Sequence, residues 1–246
     1  MERFLIEFIV AGAFVGVISG FFGVGGGTIL VPILMALGLD IKEAIAISVV
    51  QMVFSSIFGS YLNFKRGTLK ISSTIFFGLG GLIGSFFSGF IIKNVSSLTL
   101  KYVFLGVVLF AIYRFFKAPH KQDLPPVENK PLFFVIGVMI GMFATSVGIG
   151  GALILTPIMV GFLRFSVKEA VGAGLFFVVF SSMSGFVSMY INGLLHLKLG
   201  LLVGISSLLG VYLGIFLAHK VEAKKHKNLI LVLNFIILGL IIKELV

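Results

Sequence analysis

Two glycine-rich runs, Gly23-Val-Gly-Gly-Gly27 and Gly148-Ile-Gly-Gly151, sit where apolar helices should continue. Glycine costs a helix interior about 1 kcal/mol per residue relative to alanine, so three or four together break it. Broken backbone inside a bilayer leaves N–H and C=O groups unpaired, which is tolerated only where protein or a watery cavity covers them. Each run is followed by a short apolar helix starting near Thr28 or Ala152, with Pro32 or Pro157 in its opening turns, where a missing N–H does little harm. The free amides and positive dipole end of such a helix favour an anion. The candidate binding residues are therefore Gly23, Gly25, Gly26, Gly27 and Thr28 in the first run, and Ser146, Gly148, Gly150 and Gly151 in the second. Gln51 lies within an apolar segment, and Ser55 and Ser181 are hydroxyls that could line a path to the breaks.

The elements that must position these residues are long apolar segments, approximately 4–22, 43–62, 71–92, 98–116, 132–147, 168–191, 199–219 and 228–243. Two further segments, 28–38 and 152–163, are half-length. Spans of ~20 apolar residues cross a bilayer, so the pattern predicts an all-α, polytopic membrane protein with about eight long helices. The chain is also duplicated. Gly16 to Pro32 aligns with Gly141 to Pro157 at a constant offset of 125 residues, and one residue is gained before Lys42-Glu43-Ala44 matches Lys168-Glu169-Ala170. Ser55-Ser56 matches Ser181-Ser182, Gly59 matches Gly185, and Gln51 has Phe177 as its counterpart, which would make a shared site asymmetric. A polar, proline-containing stretch separates the copies, giving a first repeat over 1–116, a linker over 117–131 and a second repeat over 132–246.

Composition closes other routes. Of 246 residues, 59% are hydrophobic and only 11% charged, and mean hydropathy is +1.19, too little polar surface to coat a soluble fold. With no cysteine there is no thiol nucleophile, disulfide framework or Cys-ligated metal. The four histidines, His120, His196, His219 and His226, lack metal-ligand spacing. No catalytic residue, metal or cofactor is expected. A net charge of +10 could suggest nucleic acid, but the basic residues occupy short gaps between apolar runs, so membrane topology explains them better. Glu7 interrupts the apolar stretch before Ala11-Gly12-Ala13, so no cleavable signal peptide is expected.

Charge also bears on how the halves are oriented, because cytoplasmic loops carry excess Lys and Arg. If eight plain spans alternate, with both half-length segments on the exit side, the 19 basic residues divide 10 to 9. If 4–22 with 28–38, and 132–147 with 152–163, are re-entrant hairpins, each half crosses three times and the second half is inverted. The division then becomes 13 to 6, with both termini outside. In that arrangement the two break-bearing tips meet near the midplane, as in transporters with discontinuous helices. Gly12-xxx-Gly16-xxx-Gly20, Gly80-xxx-Gly84-xxx-Ser88 and Gly210-xxx-Gly214-xxx-Ala218 read instead as helix-packing faces. Asp40-Ile-Lys-Glu43 and Ser166-Val-Lys-Glu169 read as capping boxes. No Asp or Glu lies deep in an expected span, which argues against a cation site or a carboxylate proton relay.

The run Gly20 to Pro32 and its copy Thr145 to Pro157, each at the start of a half, resemble the TauE/SafE, or sulfite exporter, family. The resemblance extends over essentially the whole chain through the two-half layout. It implies a transporter in the cell (inner) membrane handling sulfite, organosulfonates or related small anions. In the second copy Thr145 replaces the first glycine and Ala152 the last, so the tips need not contribute equally. The expected partners are thus a small anion as cargo and the lipid bilayer, not nucleic acid; a homo-oligomer is compatible with the sequence. The rival from another class is a non-transporting membrane scaffold recruiting partners through its basic loops.

Overall fold

The computed structural model describes residues 2–69, 71–117 and 125–245, and every regular element in them is a helix. Most of the expected linker, 118–124, lies outside the described residues. In the first half, α1 (Glu2–Phe22) and α2 (Gly27–Ala36) form a hairpin, followed by α3 (Ile41–Lys65), α4 (Ile71–Ser85), α5 (Ser88–Asn94) and α6 (Ser97–Lys117). The second half repeats the order with α7 (Lys130–Ser146), α8 (Ala152–Gly161), α9 (Val167–Ile191), α10 (Leu197–Lys220) and α11 (Ala223–Lys243).

The expected number of long helices needs adjustment. Five described segments are long and apolar enough to cross a membrane: Ile41–Lys65, Thr74–Asn94, Ser97–Arg114, Val167–Ile191 and Leu197–Lys220. Three more, Ile6–Phe22, Lys130–Ser146 and Asn228–Lys243, are shorter, and α2 and α8 are half-length. The segment expected at 71–92 is interrupted after Ser85, where Phe87 N–H bonds the Gly84 carbonyl and a new helix starts at Ser88.

Helix direction follows from a few contacts. Ser97 at the start of α6 donates to Asp40 before α3, Glu43 faces His196 before α10, and Lys101 of α6 donates to the Glu244 carbonyl after α11. These starts and this end therefore share one end of the bundle, the terminal end. Gly12, Gly16 and Gly20 of α1 meet Val203, Ser207 and Val211 of α10 in the same order, so α1 runs parallel to α10 and also starts there. On the other side Gly137 and Gly141 of α7 meet Phe77 and Gly81 of α4 in the same order. Thus α7 starts with α4 at the opposite, linker end. Each hairpin returns to the end it came from, and the halves are inverted.

Both seams are built by the glycine faces, and each joins one half to the other. A Cβ on Gly16 would lie 2.1 Å from the Ser207 carbonyl oxygen, and one on Gly84 2.0 Å from that of Val138. Small residues let backbones approach this closely where lipid offers no hydrophobic drive to association. Gly16→Leu is accordingly expected to destabilise the fold by about 3 kcal/mol or more. Thermal unfolding in detergent reads it, and a wild-type midpoint would contradict the seam. The seam also explains Thr145. Its predecessor Gly20 would place a Cβ 2.4 Å from the Val211 carbonyl oxygen, whereas Thr145 Oγ1 pairs with Ser85 Oγ at 2.9 Å.

The capping boxes differ from each other. Ser166 and Glu169 form the full reciprocal box at α9. Asp40 accepts from Lys42 N–H at 2.9 Å, but Glu43 does not complete a box; its carboxylate instead lies 4.0 Å from His196 Nε2.

Candidate anion site at the glycine-rich breaks

The two breaks adopt the same backbone. Gly23, Gly25 and Gly26 have φ of +70°, +80° and +85°, and their counterparts Gly148, Gly150 and Gly151 have +74°, +70° and +90°. Only glycine takes this left-handed region without a side-chain penalty, which is why the spacing of these three glycines is duplicated. All the tip residues from Gly23 to Thr28 and from Gly148 to Ala152 are buried. The tips touch: a Cβ on Gly27 would lie 2.0 Å from the Gly148 carbonyl oxygen. At the same depth Met52 and Val178, repeat counterparts near the middles of α3 and α9, pack against Gly25, Gly27 and Gly150.

Carbonyls and amides at the tips are treated differently. Ser55 Oγ donates to the Gly25 carbonyl at 3.1 Å, and Ser181 Oγ donates to that of Gly150 at 2.9 Å. Ser48 Oγ reaches the Gly148 carbonyl at 3.3 Å, a contact across the halves that sequence reading missed. The Gly26 carbonyl accepts from Ile29 and Leu30. By contrast, the N–H groups of Gly25, Gly26, Gly27 and Thr28 have no hydrogen-bond partner among the described residues, and no side chain caps α2. Buried N–H groups are rarely left so. The duplicated serines thus hold carbonyls, while the amide end of α2 is left without a partner among the described residues.

The side chains around the two tips are not equivalent. Gln51 is fully buried, neither Oε1 nor Nε2 has a partner, and a Cβ on Gly26 would lie 2.6 Å and 2.8 Å from them. Thr28 Oγ1 is also buried and unpartnered. At the second tip the same place beside Gly151 is filled by Phe177 and Ile140. Ser146 does not face this chemistry: its hydroxyl is committed to the Met142 carbonyl at 2.6 Å. The structure therefore brings Gly26 and Gln51 together, with Ser55 bonded to Gly25, and sets Phe177 and Ile140 at the matching place beside Gly151. A cleft of about 580 Å³, lined by Val50, Phe54, Leu82, Phe86, Met183 and Leu201 among others, is almost wholly apolar.

The Ser181 bond carries its own test. Removing the hydroxyl leaves the buried Gly150 carbonyl without its donor, at a cost of about 1–3 kcal/mol. Ser181→Ala should therefore lower the unfolding midpoint, and Ser182→Ala should not, because Ser182 Oγ only bonds back to Val179 in its own helix. Equal midpoints for the two variants would contradict the assignment.

Inverted halves, paired broken helices and buried free amides where the breaks meet define the discontinuous-helix class of polytopic membrane transport proteins. The family described as Sulfite exporter TauE/SafE matches residues 8–241. The chain belongs to that family and is a membrane transporter. It is 28% identical to a probable membrane transporter protein of Methanocaldococcus jannaschii over 235 residues, 88% of this chain and 87% of the relative. A probable membrane transporter protein of Bacillus subtilis is 26% identical over 247 residues, 88% of this chain and 89% of the relative. Another, of Haemophilus influenzae, is 24% identical over 202 residues, 78% of this chain and 76% of the relative.

Proposed function

We propose that the protein exports a small anion, sulfite or an organosulfonate, across the cell (inner) membrane by alternating access around the glycine-rich breaks. The observation that carries this reading is the set of buried, unpartnered N–H groups at Gly25–Thr28 beside a buried Gln51 with neither end engaged. Amide donors at a helix start suit an anion's oxygens, while Gln51 and Thr28 supply further neutral donors that fix its orientation. Gly23 shapes the first tip, Gly148, Gly150 and Gly151 shape the opposing one, and Ser55 and Ser181 hold the loops. The halves rock about the Gly27–Gly148 contact. The inverted reading of the sequence assigns 13 of the 19 basic residues to the linker side, an excess that supports a cytoplasmic linker end. An anion leaving a negative interior gains about 2.3 kcal/mol per charge per 100 mV, so the potential alone can drive export.

Purified protein in liposomes tests the reading. Sulfite or an organosulfonate should cross at a rate well above that of empty liposomes and respond to an imposed potential. No flux of any small anion, with binding of a protein partner intact, would favour the scaffold instead. A reporter fused after Val246 should read extracytoplasmic; a cytoplasmic signal would overturn the assignment of sides.

A further inference from the structure

At the linker end, elements from both halves converge on a cavity of about 20 Å³ lined by Gly20, Asn63, Thr68, Lys168, His219 and His226, among others. It lies outside the tips, with Gly20 three residues before Gly23. His226 is 2% exposed, packs against the rings of Phe21 and Phe22 at 5.0 and 6.0 Å, and its ring nitrogens meet no partner other than the backbone of Phe21. Asn63 is 5% exposed. Thr68 Oγ1 donates to its Oδ1 at 3.4 Å, which leaves the Nδ2 end unpartnered. Lys168 and His219 are close enough to act on His226 electrostatically, and Arg66, whose guanidinium donates to the Ile215 carbonyl, acts likewise on His219. Among the described residues no carboxylate lines the cavity. Among the acids at this end, Glu169 is held in the Ser166 cap and Glu222 is exposed at the start of α11.

Buried polar groups without partners call for an occupant that has not been counted. A cavity needs ~10–15 Å³ of such volume to hold one water-sized body, so this one takes a single small species. Its surroundings offer hydrogen-bond donors: an amide NH₂, imidazole N–H groups and the Lys168 ammonium. A cation is repelled there, and sulfite is too large. We infer that the cavity binds one halide-sized monovalent anion, such as chloride, bridging Lys168 of α9 and His226 of α11 beside the end of α1. The bound ion pairs with the Lys168 ammonium, and it ties the first hairpin to the second half at the linker end.

Bromide is the probe. Full-length protein in detergent, with chloride replaced by gluconate, is titrated with sodium bromide and followed by thermal unfolding. Crystals soaked in bromide are examined by anomalous scattering. The wild type should show a saturable rise in midpoint and an anomalous peak between Lys168 and His226. Lys168→Gln and Asn63→Leu should each weaken the bromide response at least tenfold. Gln51→Leu, at the tip, should leave it unchanged, which separates this site from the transport reading. Either substitution at the cavity tests the claim if the other fails to fold. A non-saturating response in the wild type, or wild-type titrations in the cavity variants, would overturn the proposal.

Discussion

Gly26→Leu should reduce sulfite flux through reconstituted protein by more than about 100-fold while leaving a folded, monodisperse protein. Two effects act together. Gly26 has φ of +85°, and an L-residue there carries roughly 1–2 kcal/mol of strain. Its Cβ would also lie 2.6 Å from Gln51 Oε1 and 3.0 Å from a Val15 methyl, so the new side chain occupies the polar place beside the free amides. Gly38 separates the two effects. It has φ of +92° with nothing within 4 Å of an added Cβ, so Gly38→Leu carries comparable strain without touching the breaks. Its flux should stay within about twofold of wild type on the same backbone argument. Equal losses in both variants would mean that strain, not occupancy, stops transport. Gly151→Leu, whose Cβ would lie 2.4 Å from the Phe177 ring, should also stop flux by prising the second tip out of place.

Gln51→Leu should move binding and stability in opposite directions. A buried amide with neither end paired costs the empty protein about 1–3 kcal/mol, so replacing it with an apolar side chain of similar size raises the ligand-free unfolding midpoint. A hydrogen bond to a charged ligand is worth about 1.5–3 kcal/mol, and each 1.4 kcal/mol is about tenfold in affinity. The variant should therefore bind the anion roughly 10- to 100-fold more weakly, as read by isothermal titration with sulfite. Phe177→Leu keeps the second tip apolar and should change affinity by less than about threefold, while destabilising the core by trimming a fully buried ring. A Gln51→Leu protein that is both less stable and unchanged in affinity would show that the glutamine is a structural member of α3 and not a ligand group.

The divergence between the tips also accounts for Ala152 standing where the first copy has Gly27. Gly27 faces the Gly148 carbonyl at a distance that admits no Cβ, whereas the Ala152 methyl is accommodated beside Gly174, where an added Cβ would sit 3.1 Å from it.

Much of this was legible in the amino-acid order because its causes are local. A run of glycines breaks a helix wherever it occurs, the three positive-φ positions recur at a fixed offset, and basic residues sort by side only if the hairpins turn back. Those facts indicated the membrane class, the duplication, the inversion and the candidate breaks. The tertiary structure alone decided what depends on distant segments meeting. Gly16 packs on Ser207 and Gly84 on Val138, so each glycine face finds its partner in the other half, not its own. Ser55 and Ser181 look alike as path-lining hydroxyls in sequence, yet each is turned onto a loop carbonyl. Gln51 is set beside the glycine break only because Gly26 is brought against it, and Asn63, Lys168 and His226 share a cavity although the chain separates them widely. Helix breaking and charge bias act over a few residues and can be read from one segment at a time. Close approach and the burial of unpaired donors belong to the assembled bundle, because they are set by which backbones fit within contact distance of each other.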